Sequence, residues 1–445
     1  MITVLLAFVF TLGVVILVHE LGHFLAARSV GIHVHRFSIG LGPVLLRWRG
    51  LGTEWALSLL PFGGYVKMAG MLESVGEGET PPEEADLPAD VLYRNKPIIA
   101  RLWAIVAGPL ANLVLAVVLM TGVFYVQGFP IVPDVYLDTP PAGTPAALAG
   151  VERGDEVTAV NGAPVANWNE FATTLGDGGE GSYRLTVRRD GQPVELDLTL
   201  TSTDGQFDPT GLGALYDNRV GRVLKDGPAD RLGLTQGDRI VELDGKPVRF
   251  FDEIASTVNA SAGKPLEIAW EHEGQRMTGS ITPEKAQVPD PADEDKVIEA
   301  GRIYFEPYSE GTERIGLAEA VKVGTLQVVF TGRKTLEWVG KQVTFRGSKD
   351  AVGGPVLIAK VAGEMARWGW DRLLTFVAFF STQLCLLNLL PVPVLDGGHV
   401  VFLLLEAVGL PLREQLRMRL TMAGMVLLMG LMFLILLLDI GRVLP

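Results

Sequence analysis

The sequence predicts a polytopic α-helical membrane protein with four transmembrane helices and two small α+β domains outside the bilayer. Three observations lead there. The 445-residue chain is 48% hydrophobic with a mean hydropathy of +0.30, too apolar for an ordinary soluble protein. Its apolar residues gather in four charge-free runs, and the acidic middle of the chain contains an internal repeat.

The runs are Met1–Val18, Leu102–Pro133, Leu373–Leu395 and Leu420–Leu438. Each is about long enough to cross roughly 30 Å of hydrocarbon as a helix. The first is expected to be retained, because it begins without positive charge and no A-x-A cleavage site precedes Arg28. Orientation follows the cations near the helix ends. Arg28, Arg36, Arg47 and Arg49 follow the first run, Lys96 and Arg101 precede the second, and Arg413, Arg417 and Arg419 precede the fourth. Those loops are expected in the cytoplasm, with both chain ends and the long middle segment on the other side.

Residues 134–370 hold 25 Lys and Arg against 37 Asp and Glu, so nearly all of the net charge of −13 lies there. This is the composition of a solvated surface, and it argues against a nucleic-acid partner. The single cysteine, Cys385, falls in the third apolar run, so no intramolecular disulfide is possible. Thr144–Val165 aligns without gaps on Gly227–Val248, an offset of 83 residues, with eight of 22 positions identical. Each copy reads as a short helix, a Gly-Asp turn, a strand, a tight turn at Asn161-Gly162 or Asp244-Gly245, and a second helix. Two copies of this size predict two globular domains and not a solenoid. Beyond them, Glu284–Glu299 reads as a polar linker, and 316–345 as an amphipathic helix at the bilayer surface or a plain soluble helix.

The chemistry concentrates in two apolar places. His19-Glu20-Leu21-Gly22-His23 is an H-E-x-x-H motif at the end of the first run. On a helix, residues i and i+4 share a face, so two imidazoles can grip one metal ion while Glu20 takes a proton from water. Simple snorkelling of polar residues at a helix end would not need that spacing. The second place is "NLLPVPVLDGGH", Asn388 to His399, where Pro391 and Pro393 break the helix at membrane depth and Gly397 and Gly398 permit a close turn. Taken alone, Asp396 could merely cap the next helix.

Together the two motifs resemble the site-2 protease family of intramembrane zinc metalloproteases, in its bacterial form with tandem PDZ domains. The resemblance implies one catalytic Zn²⁺ held by His19, His23 and Asp396, Glu20 as catalytic base, and Asn388 positioning substrate or polarising its carbonyl. His33 and His35 match no ligand position and read as interfacial surface; His399 reads as a neighbour of the site. The runs Arg36–Pro43 and Gly52–Met68 look like the family's re-entrant β-structure, whose edge strand at Gly63, Gly64, Tyr65 and Val66 would clamp an unwound substrate by strand addition. "AGPLAN", Ala107–Asn112, also matches, with Gly108 allowing close helix approach. The repeat resembles PDZ domains attached to bacterial proteases; "GLGALY", Gly211–Tyr216, is the better candidate for a carboxylate-binding loop, and a steric filter explains the domains as well.

The expected fold is thus four transmembrane helices with a re-entrant β-structure and two PDZ-like extracytoplasmic domains. The expected divisions are 1–126, 127–205, 206–286, 287–352 and 353–445. The expected function is an intramembrane zinc endopeptidase of a bacterial inner membrane, its active site toward the cytoplasm. It would cleave single-span proteins such as anti-sigma factors and remnant signal peptides, after an upstream site-1-type protease has trimmed them. Two rivals remain: a non-catalytic membrane-anchored PDZ scaffold, which would tolerate Glu20→Gln, and a metal transporter, which leaves Glu20 and the repeat without purpose.

Overall fold

The computed structural model describes residues 2–71, 86–200, 202–203, 206–207, 212–290, 293–344 and 354–443. They form two compact units, one of Met1–Gln127 with Ile315–Pro445 and one of Gly128–Arg314.

In the first unit, α1 (Ile2–Ser29) is apolar on every side apart from its last turns, and it stops where Gly31 takes a φ of 71°. β1 (Val34–Gly50) and β2 (Thr53–Met68) form an antiparallel hairpin turned at Leu51-Gly52, both with positive φ. Phe37 pairs with both Trp55 and Val66, so the start of β1 lies between two halves of β2. Gly64, Tyr65 and Val66 are thereby an outer strand, paired to Ile39, Ser38 and Phe37. Phe24, Ile32, Val34, Phe37, Met68 and Ala104 pack this end of the hairpin on the helices. Its far end exposes Leu45, Leu46, Trp48 and Leu51, a surface suited to lipid. α2 (Ile98–Gln127) begins after Pro97 and contains Pro109. The charge-free run continues to Pro133, but Gly128, at φ 71°, ends the helix and the chain leaves as a strand.

In the second unit, β3 (Phe129–Ile131) precedes the first repeat: β4 (Val135–Leu137), α3 (Pro145–Leu148), β5 (Glu156–Val160), β6 (Ala163–Pro164), α4 (Trp168–Gly178), β7 (Gly181–Arg189) and β8 (Gln192–Leu200). After β9 (Ser202–Thr203) and β10 (Gln206–Phe207), β11 (Ala214–Leu215) pairs with β4, giving the order β11-β4-β5-β7-β8. The candidate carboxylate loop is therefore tied into the first repeat's sheet; its Gly211 lies outside the described residues. The second repeat contains β12 (Val220–Val223), α5 (Pro228–Leu232), β13 (Arg239–Leu243), β14 (Lys246–Pro247), α6 (Phe251–Ala260), β15 (Leu266–His272) and β16 (Gln275–Ile281), with sheet order β14-β13-β15-β16. Asn161-Gly162 and Asp244-Gly245 both take positive φ at each residue, as a type I′ hairpin turn requires.

The stretch read as a polar linker is instead a hairpin, β17 (Glu284–Asp290) on β18 (Asp293–Arg302). Val288 and Ala300 are buried on one face, a two-residue alternation hidden by the charges between. β19 (Phe305–Pro307) joins β12, and β20 (Gly311–Glu313) returns to pair with β3.

Back in the first unit, α7 (Leu317–Val343) is helical as expected, but it packs along α2, with Val328 against Ala116 and Met120, and Gly324 at Thr121. α8 (Pro355–Trp368), α9 (Trp370–Asn388), α10 (Asp396–Ala407) and α11 (Glu414–Val443) follow. The run 373–395 is not one helix: α9 ends at Asn388 and the proline turn separates it from α10. Cys385 is free and buried. Among the described residues, three helices are long and apolar enough to cross a membrane: α1, α2 and the 414–435 part of α11.

Candidate metal centre and active site

His19, Glu20 and His23 are each less than 9% exposed, in the last turns of α1. Two glycines let α2 reach them. A Cβ at Gly22 would stand 2.3 Å from the Ala107 carbonyl oxygen, and one at Gly108 would stand 2.3 Å from His23 Nε2. Asp396 arrives from the other end of the chain as the first residue of α10. The turn before it folds back so tightly that a Cβ at Gly397 or Gly398 would meet the carbonyl oxygens of Leu389 or Val392 at 2.3 Å. That explains why two glycines follow the aspartate: any side chain there would push α10 off the turn.

The three side chains meet. His19 Nε2 lies 3.2 Å from His23 Nε2 and 3.2 Å from Asp396 Oδ2, and His23 Nε2 lies 3.5 Å from Asp396 Oδ1. Zinc bound tetrahedrally through nitrogen and oxygen at about 2.0–2.1 Å would hold its ligand atoms roughly 3.3–3.4 Å apart. The donor set and its spacing fit that ion. Ring orientation fits as well. His23 Nδ1 donates to the Ala104 carbonyl at 2.9 Å, which leaves Nε2 with its lone pair toward the centre. His19 Nδ1 lies 3.3 Å from the Asn112 side-chain amide, whose buried Oδ1 otherwise has no partner. Turning that amide end for end lets Nδ1–H donate to Oδ1, satisfying both groups and freeing Nε2. With both imidazoles neutral, two lone pairs and a carboxylate converge, an arrangement that a cation stabilises.

The remaining candidates surround this centre. Asn388 Nδ2 is 3.3 Å from His19 Nε2, on the side of the imidazole that faces the carboxylate. The outer strand of β2 runs beside Glu20: a Cβ at Gly64 would stand 2.8 Å from Glu20 Cγ. Gly63 takes φ 97°, the Tyr65 hydroxyl accepts from Arg36 at 3.2 Å, and Val66 packs on the core under the hairpin. His33 and His35 are elsewhere, lining a separate cavity of about 400 Å³ with Arg36, Arg49 and Lys67. His399 packs edge-on against Phe402.

Asn112 has no role in the sequence reading, although a lone amide inside an apolar run is the kind of residue that marks a buried partner. Arg101, read from sequence as a flanking cation, is buried within α2.

The family model described as peptidase family M50 matches residues 7–431. The chain belongs to that family. This M50 peptidase is 33% identical over 454 residues to the Regulator of sigma-E protease RseP of Escherichia coli, covering 98% of each chain. It is 31% identical over 451 residues to the Regulator of sigma E protease of Haemophilus influenzae, covering 96% of each. A Neisseria meningitidis protein provisionally named a zinc metalloprotease is 35% identical over 451 residues, 96% of this chain and 97% of that one. A PDZ domain of a Listeria monocytogenes protein aligns with 24% of this chain and 90% of its own, at 20% identity and a TM-score of 0.16. The M50 peptidase is thus an intramembrane protease of the site-2 type.

Proposed function

We propose that His19, His23 and Asp396 hold a single zinc ion and that Glu20 is the catalytic base. The meeting of these three side chains from α1 and α10 carries the reading. Zinc in such a site supplies Lewis acidity toward a water molecule and a carbonyl oxygen. Glu20 takes the proton of the attacking water and returns it to the leaving amine once the peptide carbon is tetrahedral. Asn388 donates its side-chain N–H to the scissile carbonyl as negative charge develops there.

A transmembrane helix shields its own peptide bonds, so the substrate must be extended before Glu20 can act. Gly63, Gly64, Tyr65 and Val66 offer the outer strand on which an unwound segment gains replacement hydrogen bonds. Gly64 lets that strand lie against Glu20, which supports the assignment.

The chain crosses a bacterial inner membrane four times, α9 being the additional span, with the centre toward the cytoplasm and residues 128–314 outside. Substrates are single-span membrane proteins, among them anti-sigma factors and remnant signal peptides. An upstream site-1-type protease trims them, and the two PDZ-like repeats screen or recruit the product. The relatives named as sigma-E regulators support the substrate class. The test is cleavage of a single-span substrate by the purified chain in detergent. Parent protein should cut, chelator should stop it with zinc restoring it, and Glu20→Gln should be inert; undiminished cutting by Glu20→Gln refutes the proposal.

A further inference from the structure

Arg101 Nη1 and Nη2 donate to Glu406 Oε2 and Oε1 at 3.1 and 2.5 Å, a two-pronged pair joining α2 to α10. Arg101 is only 8% exposed, and Arg417 of α11 adds a contact to Glu406 Oε2 at 3.3 Å. The Tyr93 ring stands 6.0 Å from the guanidinium. The Arg101 guanidinium is withdrawn from water while Glu406 stays about a quarter exposed, and a half-buried pair of this kind is weak evidence for stability by itself. What the pair contributes is therefore better sought in geometry.

α2 shows what that geometry is. Arg101, Ala104, Gly108 and Asn112 recur at i, i+3, i+7 and i+11, one stripe along the helix. The Ala104 carbonyl accepts from His23, Gly108 makes room for the His23 ring, Asn112 meets His19, and Arg101 takes Glu406. Asp396 opens α10, and Glu406 lies ten residues further on, about 15 Å along the axis. The stripe thus holds the imidazoles directly and the carboxylate through the length of α10. Gly397 and Gly398 pin the start of α10 on the proline turn. α10 also buries Phe402 and Leu403, but apolar contacts carry no direction, and the two-pronged pair adds a directional point that sets the helix's rotation.

We propose that Arg101 and Glu406 are positioning residues, which set the register and rotation of α10 on α2 and so bring Asp396 to the two imidazoles. This rests on the zinc reading given above. Neither residue belongs to the set that touches zinc or substrate, so their loss should weaken metal binding and leave the chemistry intact once metal is bound.

The test uses the full-length chain in detergent, with zinc itself as the probe, titrated against a competing chelator. Arg101→Lys keeps the charge without the fork, and Glu406→Gln keeps the shape without the charge. The double variant R101M/E406L strands neither member of the pair, and Arg417, which loses Glu406, is 27% exposed and keeps access to solvent. All three should bind zinc roughly 10–100-fold more weakly than the parent, the usual cost of removing support behind metal ligands. Turnover at saturating zinc should return close to the parent value. A folded R101M/E406L with the parent's zinc midpoint overturns the proposal, as does a loss of turnover that excess zinc does not restore. A parent chain that takes up no zinc refutes the metal site itself, an outcome distinct from either.

Discussion

Buried carboxylates in the two units of this chain are satisfied in opposite ways. In the 128–314 unit, Asp155 and Asp238 occupy equivalent places in the repeat and are 1% and 3% exposed. Each is surrounded by donors. Asp155 accepts from the Glu152 backbone N–H at 2.9 Å and from Arg189 Nε and Nη2 at 2.7 Å; Asp238 accepts from the Thr235 N–H at 2.8 Å and from His272 at 2.7 Å. These acids close their turns and need nothing further. Asp396, in the membrane unit and 17% exposed, faces the Nε2 atoms of two imidazoles, and the Nδ1–H of His23 is already engaged with a backbone carbonyl. Conserving hydrogen bonds inside the protein explains the first two acids. On the metal-site proposal, a bound cation completes the third. Counting donors thus separates the two structural carboxylates from the one proposed as a metal ligand.

Breaking the chemical side of this contrast should have the largest effect. Glu20→Gln keeps the volume and removes the base, so turnover should fall by roughly 10²–10⁴-fold. Zinc content should be unchanged, and a parallel loss of metal would mean that Glu20 is a ligand. Next is the strand beside it. Gly64→Ala places a methyl 2.8 Å from both Glu20 Cγ and the Ser38 carbonyl oxygen, which forces the strand or the base to shift. Misplacement of that order can cost about 10²-fold in rate, measurable as turnover with metal content and melting temperature retained. Parent-like turnover in this variant would remove the strand from the site.

The structural acids should behave differently. Asp155→Asn takes the carboxylate from Arg189 Nε and Nη2, leaves that guanidinium only the exposed Glu152, and should destabilise the unit by about 1–3 kcal/mol, read by urea unfolding of the full chain. Zinc uptake should be unaffected, which sharpens the contrast with Asp396. The smallest effect separates the repeats themselves. At the same offset of 83 residues, Arg189 of the first repeat is replaced by His272 in the second. His272 has its pKa raised by its hydrogen bond to Asp238, then by that carboxylate's charge, with Glu273 adding to both. The stabilisation it contributes is fully present below the ordinary value of about 6.5 and is lost as pH rises through the raised folded value. His272→Arg should flatten this part of the pH dependence of melting, and an unchanged profile would show that the pair contributes nothing.

Much of this arrangement was legible beforehand, and for identifiable reasons. The spacing of His19 and His23 is a helical signature, and polar residues inside apolar runs announce themselves. The repeat carried its Gly-Asp turns and its Asn-Gly and Asp-Gly hairpins in plain view. Asp396 could be assigned only through the resemblance, because nothing in the spacing of residues so far apart says that they meet. Backbone partners have no sequence signature, so the Ala104 carbonyl behind His23 was invisible. The Arg101–Glu406 pair was hidden differently, since a cation at the start of an apolar run reads as a membrane flank. In the 284–302 hairpin, surface charge obscured the alternation of Ala286, Val288, Ile298 and Ala300. The apolar run at 373–395 concealed a helix break that its prolines alone disclosed.

The contrast between completed and incomplete carboxylates comes down to metal content. Elemental analysis of the purified chain, beside His23→Ala, Asp396→Asn and Asp155→Asn, measures it directly. One zinc per chain in the parent and in Asp155→Asn, with little or none in His23→Ala and Asp396→Asn, is the expected result. Full zinc content in a folded Asp396→Asn chain, or a parent that cleaves substrate with no metal at all, would contradict it.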